Sequence, residues 1–241
     1  MTTALVDERR FTAPLYTVTE ASRYLRIPAS TLSTWADGYE HHRTDRDIPR
    51  VVVGAPIITA LPKTTPGRPR LPFVGLAEAY VLAAFRQAGV PMQRIRPSLD
   101  WLVDTVGPHA LASKALFTDG AEVLWDFGQR AGEDSDGRVV ARNLVVPRLG
   151  QYVFQDVVER YLKQIRFARD DYAEVIRLPQ YERSNVVLDP RRGYGQPIFD
   201  DSGVKLTDAL GPIRAGESFE AVALDYGVDV DQLRDAYSLS A

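Results

Sequence analysis

Cysteine is absent from the 241 residues, so disulfides, zinc-thiolate centres, iron-sulfur clusters and cysteine nucleophiles are all excluded. Histidine is nearly so. His41, His42 and His109 are the only three, and the adjacent pair cannot share a helix face as metal ligands four residues apart would. No apolar run approaches the roughly 18 residues of a membrane span, and MTTALVDERRFTAP carries no signal-peptide core, so a cytoplasmic protein without a membrane partner is expected. Also missing are His-Glu-x-x-His, Gly-x-Ser-x-Gly, a phosphate loop and a dinucleotide fingerprint. Asp134 and Asp136 fall in a turn-forming stretch without the rest of a calcium loop. A binding protein with no cofactor and no metal is expected, rather than an enzyme.

What is present is the composition of an ordinary globular chain, 45% hydrophobic and 25% charged, with a formal net charge of -3. That charge is unevenly divided. Residues 200–241 hold nine acids against three bases, a net of -6, which leaves +3 for residues 1–199. From Val51 to Gly75 there are Lys63, Arg68 and Arg70 and no acid. The two ends therefore suit partners of opposite sign.

Near the N-terminus, Thr17 and Glu20 have the spacing of a capping box that opens a helix. Ala21 and Leu25 lie one turn apart on its inner face, Ile27-Pro28 breaks it, and a second helix carries Leu32 and Trp35 inward. Ser22 is small where the two helices cross, so the pattern is that of a helix-turn-helix. The outer positions of the second helix are Ala29, Ser30, Ser33 and Thr34, which reach phosphates or base edges but lack the bidentate span of Arg, Asn or Gln. Arg23 and Arg26 are expected to flank it as phosphate contacts, with Arg43, Arg46, Arg50, Lys63, Arg68 and Arg70 downstream.

With Tyr16, Glu20-Ala21 and Thr31-Leu32-x-x-Trp35, this segment resembles the opening of the MerR-type winged helix-turn-helix family. Arg26 stands where many such units place glycine. RVVVGAPIITAL followed by PKTTPGRPRLP reads as a β-hairpin wing with a basic, proline-rich flap. GLAEAYVLAAFRQAGV is expected to be an amphipathic helix with Leu76, Tyr80, Val81, Ala84 and Phe85 on one side. PMQRIRPSLDWLVDTVG keeps helical register, with a kink or restart expected at Pro97.

In the middle, AEVLWDF and RVVARNLVV read as strands. FQDVVERYLKQIRFARDD has Val158, Leu162 and Ile165 at helical spacing, and YAEVIRLPQY reads as a strand. The last sixty residues form a strand into Asp189-Pro190, a hairpin through Gly193 and Gly195, a return through Pro197-Ile198-Phe199, and three helices. Ser218 caps the second, with Phe219, Val222, Ala223 and Tyr226 as a buried stripe, and Gly227 ends it. Asp229 and Gln232 open the third, in which Val230, Leu233 and Tyr237 face inward.

Asp189-Pro190, Gly195-x-Pro197-Ile198, Gly216-Glu217-Ser218-Phe219-Glu220 and Asp225-Tyr226-Gly227-Val228 are similar to the small C-terminal domain of VapB-type antitoxins. That family usually continues its hairpin with Gly-Thr-Arg, where this chain has Asp200-Asp201-Ser202-Gly203. The resemblance implies an antitoxin of a type II system that neutralises a PIN-domain ribonuclease toxin and represses its own operon, working as a homodimer on operator DNA. The alternative is a MerR-like ligand-responsive regulator without a toxin.

The expected fold is mostly helical α+β, in three parts: a winged helix-turn-helix at residues 14–106, a central α/β region at 107–182 and a β-hairpin with three helices at 183–241. DNA contacts are expected from Arg23, Arg26, Ser30, Ser33, Thr34, Lys63, Arg68 and Arg70. A net of -6 disfavours phosphates at the other end, so toxin contacts are expected there, from Arg191, Arg192, Glu217, Phe219 and Tyr226. Deleting residues 200–241 is expected to abolish neutralisation and leave operator binding intact.

Overall fold

The computed structural model describes residues 8–45, 48–87, 92–116 and 161–240. It opens with the expected helix pair, α1 (Val18–Leu25) and α2 (Ala29–Asp37), followed by an antiparallel hairpin of β1 (Tyr39–Asp45) and β2 (Ile48–Gly54). Val51 and Val53 alternate outward on β2, 54% and 70% exposed. The wing therefore starts earlier than its valine run suggests, because YEHHRTD supplies the first strand. Residues 55–72 do not pair with it. They return as a proline-rich strap anchored at both ends: Ile57 and Ile58 donate backbone hydrogen bonds to Trp35, and Arg70 donates one to Tyr16.

Helix α3 (Phe73–Gln87) is the axis of the molecule rather than an amphipathic surface helix. Thirteen consecutive residues, Phe73 to Phe85, are buried. Alanines at 77, 79, 83 and 84 and Gly75 let α1 approach one side while the 110–112 turn and a central strand pack on others. Gly75 is obligatory, since a β-carbon there would sit 1.9 Å from the Thr59 carbonyl oxygen. Helix α4 (Met92–Val106) runs through Pro97 without a break.

The second sheet has the order β3-β4-β5-β6, all antiparallel: β3 (Ile165–Phe167), β4 (Ala173–Arg177), β5 (Val186–Leu188) and β6 (Pro197–Phe199). Ile165 lies here in a strand, not in the helix its spacing with Leu162 suggested. Ile-Arg-Phe also alternates with period two, and pairing with β4 satisfies its backbone while burying Ile165. Val158 and the strands expected at 121–127 and 138–146 lie outside the described residues. The β5-β6 hairpin forms as expected, with Val187 opposite Ile198. Because β4 pairs with β5, the boundary expected at 182/183 falls inside one sheet.

Helices α5 (Leu206–Arg214), α6 (Phe219–Tyr226) and α7 (Val230–Ser240) close the chain. The Ser218 hydroxyl caps α6 by accepting from Ala221, and Asp229 caps α7 by accepting from Asp231 and Gln232. Val222 and Leu233 are buried, whereas Tyr226 remains 37% exposed, since the chain reverses at Gly227 just after it. One continuous core runs from Tyr16 and Trp35 through α3 to Phe199 and Leu233. The fold is thus mostly helical α+β with two small antiparallel sheets. Among the described residues, no helix is long and apolar enough to cross a membrane.

Candidate nucleic-acid interface and acidic surface

The helix pair is fixed by local chemistry. Thr17 accepts from the Glu20 backbone at 3.1 Å, and Glu20 accepts from the Thr17 backbone at 2.9 Å, completing the capping box. Between the helices, Arg26 adopts a left-handed conformation, φ 53° and ψ 40°, where glycine would be unstrained. Ser22 donates its hydroxyl to the Ile27 carbonyl at 2.6 Å and locks the turn.

Helix α2 presents Ala29 and Ser30 outward as exposed residues, with Ser33 and Thr34 half-buried beside them. Thr34 donates its hydroxyl to the Ser30 carbonyl of its own helix. Ser33 opens into a groove of about 340 Å³ between α2, the start of α1 and the strap. Thr17 and Thr19 line its helical side; Lys63, Arg68 and Arg70 line the strap side. Asp37, the last residue of α2, holds the strap in place: its carboxylate takes Lys63 at 2.8 Å and Arg70 at 2.6 Å. Arg70 also donates to the Leu61 carbonyl, so it braces the strap from within. Burial alone would raise the Asp37 pKa, but the hydrogen bonds from Lys63 and Arg70 outweigh it and hold the group below its ordinary value. Arg68 is exposed and has no carboxylate partner among the described residues.

The fold thus gathers Ser33, Lys63, Arg68 and Arg70 around one groove, with Ser30 and Thr34 on the adjoining helix face. Arg23 and Arg26 are elsewhere. They open onto a separate cleft between α1 and the C-terminal helices, facing Gln180, Gln196 and Arg214. Arg43 and Arg50 are cross-strand partners in the wing, and Arg46 lies outside the described residues. Sequence reasoning missed Asp37. The available signal was an acid closing the second helix, with an acid-free basic stretch following from Val51.

At the other end, Arg191 and Arg192 are consumed internally. Buried Asp189 accepts from Arg191 Nε at 3.1 Å and from Arg192 Nε at 2.9 Å. Arg191 continues to Glu174 at 2.9 Å, Arg192 to Asp200 at 2.5 Å, and Asp200 to Arg166 at 3.1 Å. The ladder ties the hairpin to β3 and β4. Desolvation would push the Asp189 pKa up, yet the hydrogen bonds from Arg191 and Arg192 prevail and keep it low.

The outward side of the C-terminal helices is acidic with an apolar point. Glu217 is exposed; Phe219 packs edge-on against Tyr237, ring centroids 5.5 Å apart, with Arg234 over its face. Leu224, which sequence reasoning did not single out, is 84% exposed one turn after Glu220. Glu217, Glu220 and Asp225 are exposed on the same segment.

Residues 14–99 match a family described as a Putative DNA-binding HTH domain. Across its length the chain is 67% identical to Putative antitoxin VapB45 of Mycobacterium tuberculosis (strain ATCC 25618 / H37Rv), covering 95% of both chains. It is 28% identical to Uncharacterized protein Rv2308 of the same organism, over 92% of this chain and 88% of that one. The crystal structure of Rv2018 from Mycobacterium tuberculosis superposes with a TM-score of 0.79 at 63% identity, over 94% of this chain and 98% of that one.

Proposed function

The chain belongs to the family of Putative antitoxin VapB45, and from that kinship we propose that it is a type II antitoxin, a regulator rather than an enzyme. It binds operator DNA with its N-terminal part, residues 14–106, and a PIN-domain ribonuclease toxin with its C-terminal part, residues 183–241. The observation that carries the DNA half is the strap groove. Asp37 sets Lys63 and Arg70 beside Ser33, so that the phosphate contacts are pre-positioned next to the helix that enters the major groove. Ser30, Thr34 and exposed Arg68 extend that surface. Short hydroxyl side chains read bases weakly, so affinity comes mainly from phosphates and is steeply salt-dependent. Two copies of the chain place two recognition helices in successive grooves, and repression of the operon follows from occupancy of its operator.

The toxin half rests on charge and on Leu224. A ribonuclease presents cationic surface to RNA, and Leu224 with Glu217, Glu220, Phe219 and Tyr226 offers it an acidic rim around apolar anchors. Arg191 and Arg192 support that surface through the Asp189 ladder.

Fluorescence anisotropy on the chain's own promoter DNA tests the first half. Wild type should bind with a strong inverse dependence on salt, and Lys63→Ala with Arg68→Ala should weaken binding and flatten the slope by about two phosphates' worth. Unchanged binding at every salt concentration refutes the groove. Co-purification with the product of the neighbouring gene tests the second half, and its failure shifts the reading to a ligand-responsive regulator. That second reading is favoured by a cavity of about 310 Å³ under α4, where His109 and Thr59 meet buried Glu78 at 3.0 and 3.1 Å.

A further inference from the structure

A second cleft, of about 540 Å³, opens between α1 and the C-terminal helices. Its cationic lining is Arg23, Arg26 and Arg214. Several arginines of this acidic protein are matched to carboxylates, Arg70 to Asp37, Arg166 to Asp200, Arg191 and Arg192 to Asp189 and Arg234 to Glu220, whereas Arg68 in the strap groove is not. The three cleft arginines have no carboxylate partner among the described residues, and Arg214 has only the Ser240 carbonyl at 3.4 Å. Glu20, the one acid of the lining, is engaged in the Thr17 capping box.

Arg26 adds an independent sign. It occupies a left-handed turn position that glycine would fill without strain, and it points a charge at this cleft instead. Arg26 thus carries backbone strain of about 1 kcal/mol, while its side chain has no hydrogen-bond or ion-pair partner among the described residues.

The remaining lining combines aromatic, amide and aliphatic groups. Tyr24 and Tyr181 supply aromatic surface, and the Gln180 and Gln196 amides supply donors and acceptors. Gln180 spends one N–H on the Tyr24 carbonyl at 2.9 Å, which fixes the amide and leaves its oxygen to accept. The volume lies within the usual range of about 300–1,000 Å³ for small-molecule sites. We propose that this cleft binds a mononucleotide, its phosphates held by Arg23, Arg26 and Arg214 and its base lodged against Tyr24 and Tyr181. The site bridges the helix-turn-helix and the C-terminal helices, so an occupant contacts both. The proposal is independent of the antitoxin reading, and it removes Arg23 and Arg26 from the DNA-contact set.

Isothermal titration of the full-length protein with AMP, ATP and inorganic phosphate decides it. Both nucleotides should bind, at least tenfold more tightly than phosphate alone. Arg23→Ala with Arg26→Gly should weaken nucleotide binding at least tenfold while leaving promoter-DNA anisotropy unchanged. Circular dichroism confirms that the variant folds, as expected for two exposed side chains. The proposal is overturned by absence of nucleotide binding at millimolar concentration, by equal affinity for phosphate and AMP, or by a variant that loses DNA affinity but keeps nucleotide affinity. The last result returns both arginines to the DNA backbone.

Discussion

The Tyr16 hydroxyl donates a 2.9 Å hydrogen bond to the carbonyl of Gly195, so the residue that leads into the helix-turn-helix is bonded to the tip of the C-terminal hairpin. The fit is close: Gly195 has φ +75°, and a β-carbon on it would lie 2.5 Å from that oxygen. Tyr16→Phe leaves a buried carbonyl unpaired and should cost about 1–2 kcal/mol, read from urea unfolding. Burial raises the Tyr16 pKa well above 10.0. The folded state thus holds this proton more tightly, and its contribution is complete below pH 10 and is lost as pH climbs toward the folded value. Wild type should lose stability above about pH 10, and Tyr16→Phe should lose less.

The continuity of the core alters the expected outcome of truncation. Removing residues 200–241 uncovers Phe199, Ile198 and the core beneath α5, so the shortened chain should unfold rather than retain operator binding. Loss of the cooperative thermal transition checks this. The separation of the two binding activities therefore has to be tested with surface substitutions.

Leu224→Glu is one such substitution. At 84% exposure the side chain contributes little to folding, so stability should stay within about 0.5 kcal/mol of wild type. Toxin co-purification should be lost and DNA binding kept. Retained co-purification would place the toxin contact elsewhere.

Acid should attack the arginine ladder. The Asp189 pKa is depressed in the folded state, so its contribution is present above the ordinary carboxylate value of 3.8 and lost as pH falls below it toward the folded value. Asp189→Asn should destabilise the protein by about 2 kcal/mol near neutral pH, since two guanidinium groups lose a buried partner. Its acid transition should also be shallower than that of wild type.

Arg26→Gly relieves the left-handed turn and should raise the melting temperature by about 2–4 °C, corresponding to about 1 kcal/mol. Tyr80→Phe should be neutral or mildly stabilising, because that buried hydroxyl has no hydrogen-bond partner among the described residues.

What the sequence made legible was local. Thr17-x-x-Glu20, the inward Leu32 and Trp35, Ser218 as a cap and Gly227 as a stop each depend on residues within one or two turns, and each stands where periodicity and capping chemistry put it. Ile165 did not, because three residues that satisfy both periods are settled by whichever neighbour offers hydrogen bonds, here β4. The burial of α3 on every side was hidden for a related reason: alanine serves a surface helix as well as a crowded one. Of the expected DNA residues, Lys63 and Arg70 are held beside Ser33 through Asp37, a pairing made across a strap whose path no local rule specifies. Arg23 faces outward as its helical phase requires, but its opposite wall is built by residues such as Gln180, about 160 positions away in the chain.

Among the described residues, the Tyr16–Gly195 bond and one continuous core join the helix-turn-helix to the C-terminal helices. Anything seated on α6 is consequently carried at a set distance and angle from whatever α2 touches, as on a ruler rather than a tether.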